Sequence, residues 1–355
     1  MRASYPNSLS AVREARAGIP PETDSGGVPN LRFSFKDAYR RVEEAGWSRE
    51  VTARELPIAK ELAGVNMKLD PGGIRELHWH KQAEWAFMLE GRAQITAVDP
   101  DGCPFLDDVG VGDLWYFPAG IPHSIQGLED GCEFLLVFDD GGFSEDATFL
   151  LCDWLAHTPR DVVARDLELD IEDLAGLPGG ERYIFQGRLP EPSGSTGGQR
   201  FSHRLGGQEP QRFPGGTVRV ADSRSFPVSA TVAAALVEVE PGCRRELHWH
   251  PNTDEWQYYL QGNARMTVFA AEGKARTFEY RARDVGYVPF AMGHYIVNTG
   301  QEPLRYLEMF RSERFVDISL RRWLAHTPAR LVADHLNVTE AALHRLPAGE
   351  RPVAS

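Results

Sequence analysis

The sequence predicts an all-β protein built from two jelly-roll barrels in tandem, each followed by short helices. Three observations predict it. First, Arg75-Glu76-Leu77-His78-Trp79-His80 recurs letter for letter as Arg245-Glu246-Leu247-His248-Trp249-His250. Second, stretches such as 64–69, 93–98 and 264–269 alternate apolar and polar residues, the period of a strand with one face buried. Third, turn clusters such as Pro71-Gly72-Gly73 and Asp99-Pro100-Asp101-Gly102 punctuate those stretches. Many short strands between such turns make a sandwich or barrel.

The repeat fixes the organisation. Glu84-Trp85 matches Glu255-Trp256, Gly91 matches Gly262, Pro118 matches Pro289 and His123 matches His294, with one residue inserted after the second histidine of the second copy. Each copy closes alike, as Trp154-Leu155-Ala156-His157-Thr158-Pro159 and Trp323-Leu324-Ala325-His326-Thr327-Pro328. The Thr-Pro pairs read as an N-cap followed by proline at the first helical position, opening helices that end near Pro178 and Pro347. The expected division is an extended arm over 1–47 packing on the second barrel, a first barrel with its exit helices over 48–188, a linker over 189–208, and a second barrel with C-terminal helices over 209–355.

Composition narrows the function classes. With 38 basic against 51 acidic side chains the net charge is −13, and no basic block is present, so a nucleic-acid partner is not expected. No run approaches the roughly 18 apolar residues of a membrane helix, so no membrane partner is expected. Cys103, Cys132, Cys152 and Cys243 lie far apart without paired spacing, which argues against a disulfide framework and predicts a cytoplasmic location.

The histidines carry the chemistry. His78 and His80 lie two apart, so on a strand they share a face. Glu84 follows after a short turn and His123 after the Pro118–Pro122 turn. Three imidazoles and a carboxylate from separate strands can converge on one cation, and the second copy offers His248, His250, Glu255 and His294. Single buried histidines are usually satisfied core residues; two matching sets of four are not. A sulfur-free set with one hard carboxylate favours an octahedral manganese or iron ion with open positions, whose net positive charge would hold a small anion. Trp79 and Trp249, between the ligand histidines, turn to the opposite face and are expected to pack on the other domain or on a neighbouring subunit.

Gly72-x5-His78-x-His80-x3-Glu84-x6-Gly91 and Gly112-x5-Pro118-x-Gly120-x2-His123 resemble both signature motifs of the cupin superfamily. The likeness runs from about Asp24 to the exit helices. The strings Val28-Pro29-Asn30-Leu31-Arg32-Phe33-Ser34-Phe35, Asp113-Leu114-Trp115-Tyr116-Phe117-Pro118 and Glu255-Trp256-Gln257-Tyr258-Tyr259 are similar to the bicupin oxalate decarboxylases. The resemblance implies double-stranded β-helix cupin barrels, two Mn(II) per chain, dioxygen as co-catalyst, oxalate as substrate, and a homo-oligomer, trimer or hexamer. Arg283 and Ala291 replace signature glycines of the second copy, and Gly127 replaces an asparagine of the first. These departures bear on turn geometry and leave the ligands intact.

One asymmetry separates the copies. Phe138 matches Phe310 and Trp154 matches Trp323, so the first copy holds three extra residues between them, within a loop at 139–148 whose Gly141-Gly142 pair suggests a hinged lid. Ser144-Glu145-Asp146-Ala147-Thr148 resembles the decarboxylase lid, which implies that Glu145 takes a proton from oxalate and returns it to the formate carbon. Arg75 is the candidate for polarising the substrate carboxylate. Arg245 and Glu308 stand where the family has its second arginine and glutamate, at a site expected to be structural or electron-buffering first and catalytic second. The competing expectations are an oxalate oxidase, making carbon dioxide and peroxide, and a non-catalytic two-cupin binding or storage protein.

Overall fold

The computed structural model describes residues 20–191, 199–347, 349 and 351–354. Two long strands, Glu84–Val98 and His123–Phe138, run antiparallel through the first barrel. Register shifts beside Gly91 bend the pair from one layer into the other. Gly91 has φ of 69°, and a Cβ there would stand 2.1 Å from the Gly131 carbonyl oxygen, so only glycine lets the strands cross this closely. In the second barrel the same course is split into Glu255–Gln261 with Asn263–Ala270, and Gly293–Asn298 with Leu304–Phe310.

Alternation along these strands sorts side chains into three cores. Ala86 and Met88 point into the first barrel, and Tyr259 and Ala264 into the second. Their neighbours Trp85, Phe87, Trp256 and Tyr258 point outward and meet in a shared cluster with Leu236, Leu307 and Met309, which joins the two barrels. The barrels also exchange strands. Arg32–Ser34, ahead of the first barrel, pairs with Asp284–Gly286 of the second. Ser202–His203, ahead of the second barrel, pairs with Leu114–Trp115 of the first. Thus the arm and the linker each carry a strand. Arg40–Glu43, counted with the arm from sequence, pairs with Gly46–Val51 of the first sheet. Residues 1–19 of the arm and 192–198 of the linker lie outside the described residues.

Two local expectations are corrected. Pro159 and Pro328 are themselves the N-caps of Arg160–Leu167 and Ala329–Leu336. The Thr158 and Thr327 hydroxyls donate backward to Trp154 O and Trp323 O, closing the preceding helices instead. Within the chain, Trp79 stacks on Phe149 and lies edge-on to Trp154, Trp249 lies edge-on to Trp323, and both indoles stay partly exposed. Arg283 and Ala291 leave the turns as glycine would build them, at φ of 74° and 61° beside 86° and 79° for Gly112 and Gly120. That conformation costs a side-chain-bearing residue roughly 1–2 kcal/mol; Arg283 offsets it through an ion pair to Glu133 of the first barrel at 3.1 Å.

Candidate metal centres and the lid of the first barrel

The first centre forms where strand ends converge. His78 lies in Gly73–Trp79, His80 just beyond it, and Glu84 and His123 open the two long strands. All four are buried, and one ligand atom from each lies within 4.8 Å of the others. His248, His250, Glu255 and His294 repeat the arrangement within the same limit. Every one of the eight residues named from sequence is therefore brought into its set.

Hydrogen bonding sets which imidazole nitrogen faces the centre. Nδ1 of His78, His80 and His123 lies 2.6–2.7 Å from the carbonyl oxygens of Glu76, Gln82 and Ile121. In the second centre the partners are Glu246, Val316 and Met292 at 2.7–3.0 Å. A carbonyl only accepts, so each Nδ1 carries the proton and each Nε2 presents a lone pair inward. Nε2 of His123, His248, His250 and His294, with Glu255 Oε2, are buried without a hydrogen-bond partner. Orphaned polar atoms facing one another are costly unless a cation joins them, so the donor sets fit a divalent ion. Burial, the adjacent Arg75 charge and the neighbouring imidazoles hold His78 well below the usual histidine range, in its neutral ligating form, and the same causes with Arg245 act on His248. Burial lowers His250 as well, but the Glu255 carboxylate outweighs it and raises that histidine.

The outer oxygen of each glutamate is held by a different donor. Trp115 Nε1 donates to Glu84 Oε1 at 3.0 Å, whereas Gln257 Nε2 donates to Glu255 Oε1 at 2.8 Å. Trp115 stands opposite Gly286 in the repeat, and Ala86 opposite Gln257. A Cβ on Gly286 would meet Gln257 Oε1 at 2.4 Å, so the large donor and the empty position change places together.

Arg75 and His78, three apart, would face opposite ways on a regular strand. A register shift between them turns both inward, and another does the same for Arg245 and His248. Arg75 is 1% exposed, and its Nη2 donates to Glu145 Oε2 at 3.1 Å. Tyr183 Oη donates to the same oxygen at 2.7 Å and is itself bonded to Ser48. Glu145 N donates to Glu50 Oε1 at 2.9 Å. Glu145 therefore sits in a short helical turn, Glu145–Ala147, buried against the barrel and turned in on Arg75. At the base of the lid, Asp139 and Asp140 accept from Ala83 N and Gln82 Nε2, beside ligand His80. Gly141 departs from the hinge expected of it. A Cβ there would meet Ala59 O at 2.2 Å, and its N and O bond Lys60 and Ala53, so it serves close packing rather than freedom.

In the second barrel, Arg245 donates from Nε to Glu308 Oε1 at 3.1 Å and from Nη2 to Asp317 Oδ2 at 2.6 Å. Sequence reasoning named Arg245 and Glu308 but missed Asp317, Tyr183, Glu50, Trp115 and Gln257. The last two were detectable as paired differences between the copies; Tyr183 and Glu50 carried no local signal.

A duplicated barrel with three histidines and a glutamate in each half defines a bicupin with two metal centres. The cupin family model matches residues 33–174 and again 205–342. The chain is 58% identical over 329 residues to oxalate decarboxylase OxdC of Bacillus subtilis (strain 168), covering 90% of this chain and 85% of that one. It is 41% identical to a probable oxalate decarboxylase of Arthroderma benhamiae, covering 94% and 85%. A solved structure of the Bacillus subtilis oxalate decarboxylase, described for its Mn(II) centres, superposes with a TM-score of 0.92 at 53% identity, covering 100% of this chain and 97% of that chain. The structure of the same enzyme at pH 4.6 gives 0.92 at 54%, covering 100% and 95%. The chain belongs to the cupin family and, within it, to the bicupin oxalate decarboxylases.

Proposed function

We infer that this protein is a carboxy-lyase that splits oxalate into formate and carbon dioxide, with Mn(II) at both centres and the chemistry at the first. The observation that carries the assignment of roles is Glu145 Oε2, buried and shared between Arg75 and Tyr183 on a loop three residues longer than its counterpart in the second barrel. When bound, manganese supplies a positively charged seat for the anion and, with dioxygen, a one-electron route for weakening its C–C bond.

The side chains account for the rest. Arg75, aimed inward and desolvated, binds a substrate carboxylate and stabilises the charge that develops on it. Glu145 accepts the remaining acid proton of hydrogen oxalate; as carbon dioxide leaves, the same group returns that proton to carbon, giving formate. Atoms balance, and starting from the dianion one proton is consumed. Tyr183 and Glu50 fix the carboxyl and the backbone of that acid, while Phe143, stacked on Phe138 beside His80, keeps water from the centre. Arg245 and Glu308 serve the second centre, in a structural or electron-buffering role.

The proposal extends to assembly as a trimer or hexamer and to a cytoplasmic location. Exposed Leu77, Trp154, Leu247 and Trp323 support an assembly surface, and the four free cysteines fit a reducing compartment. Product analysis of manganese-loaded protein tests the reaction: formate and carbon dioxide in equal amounts are expected, with turnover lost under nitrogen. Peroxide in place of formate would make the protein an oxidase.

A further inference from the structure

Arg75 and Arg245 hold the same pose. Each is 1% exposed, and each donates from Nη1 to the main-chain oxygen of the residue just ahead of the strand after the exit helices, Tyr183 O or Pro352 O, at 3.4 Å. What their other nitrogens meet differs. Arg75 meets Glu145, a carboxylate carried on the loop 139–148. Arg245 meets two carboxylates fixed to its own barrel: Glu308 in the strand Leu304–Phe310, and Asp317, next to the strand Ile318–Ser319 that pairs with His248. In the repeat, Glu308 stands opposite Leu136 and Asp317 opposite Thr148. Asp317 is the outermost of the three, its side chain 27% exposed against 1% for Arg245 and 0% for Glu308.

We propose that Asp317, together with Glu308, is a built-in anion that occupies Arg245 and closes the second centre to oxalate and other small carboxylates. This rests on the reading of the first cupin as the catalytic one and gives it a physical basis. Around a divalent ion, Glu84, Arg75 and Glu145 leave one formal positive charge, which a monoanion neutralises. Around the second ion, Glu255, Arg245, Glu308 and Asp317 leave none. An incoming carboxylate would also have to displace a short charge-assisted bond that the chain already makes within itself. Asp317 is thus a specificity-determining residue of the second site, acting through Arg245.

The test is the number of oxalate molecules bound by manganese-loaded full-length protein under nitrogen, read by calorimetry, with metal content confirmed at two per chain. One oxalate per chain is expected for the natural sequence and two for Asp317→Thr, which copies Thr148. Manganese EPR is expected to show one centre responding to oxalate in the first case and both in the second. Asp317→Asn keeps the side-chain shape and is expected to give two as well if the threonine variant loses metal. Two oxalates bound by the natural protein, or one bound by both fully metallated variants, would overturn the inference. Arg75→Ala separates the two readings. If it weakens the single oxalate at least tenfold while the Asp317 variants stay at one, the inference alone fails; if it leaves that affinity unmoved, the bound oxalate sits in the second cupin and both fail.

Discussion

Behind the first centre the barrel interior is apolar; behind the second it is a hydrogen-bonded stack of tyrosines. The inward positions Ala86, Met88, Phe134 and Leu136 of the first barrel become Gln257, Tyr259, Tyr306 and Glu308 in the second. Tyr259 donates to Gln257, which donates to the ligand Glu255, and Tyr306 donates to Glu308. The Tyr259 ring lies between Tyr280 and Tyr306, with centroids 4.5 and 5.4 Å away. Burial pushes all three phenols well above the usual tyrosine range, so they remain donors. The second barrel thereby holds its acid on a strand, inside a satisfied network that fixes it in place. The first barrel places its acid on a loop. With the same ligand set in each, the proton-handling role proposed for Glu145 falls to the acid carried on a loop, not to the one held in a strand.

Glu145→Gln should break the comparison most severely, since it makes the lid acid as inert as a strand-borne one. Formate production should fall about a hundredfold or more, with peroxide rising, measured together in one assay. Exchanging the glutamate donors should sharpen it at the metals. Trp115→Phe is expected to weaken retention of the first ion, and Gln257→Leu of the second, each by about 10–100-fold in metal affinity, read by site-resolved EPR during chelator titration.

Glu50 has only Val220 opposite it in the repeat, so its titration belongs to the first barrel alone. Burial, with the Glu145 charge nearby, pushes its carboxyl up to about 7. A carboxyl raised on folding binds its proton more tightly in the native state. Its stabilising contribution is therefore complete below about pH 4.5 and is lost as pH rises towards 7. Glu50→Gln should remove about 1 kcal/mol of that decline, allowing for its partial exposure, as measured by denaturant unfolding at pH 4.5 and 7.5. The smallest effect is expected from Ala291→Gly, which relieves a left-handed residue that the matching Gly120 does not have to endure. It should raise stability by up to about 1 kcal/mol without altering metal content.

The duplication made the fold and all eight ligands legible, because spacing on strands and repetition of the spacing are both written in the chain. Arg75 was legible only through family likeness: its odd separation from His78 points it away from the metal unless the strand shifts register between them. Tyr183 was invisible for a topological reason. It reaches Glu145 from the residue just before the strand that follows the exit helices, 38 residues further on, and no local pattern marks a long-range contact of that kind. Asp317 was hidden by the lid insertion, which obscured its match to Thr148 until strand pairing restored it. Gly141 was misjudged because a glycine admitted for close packing reads the same as one admitted for motion.

The traded strands have a consequence for how the chain could be divided. A half ending before residue 200 would lack Ser202–His203 along one edge, and the other half would lack Arg32–Ser34. Each would present an unpaired backbone ladder and a bare apolar wall. Produced separately, the halves should aggregate; produced together in one cell, they should find one another and rebuild the pair.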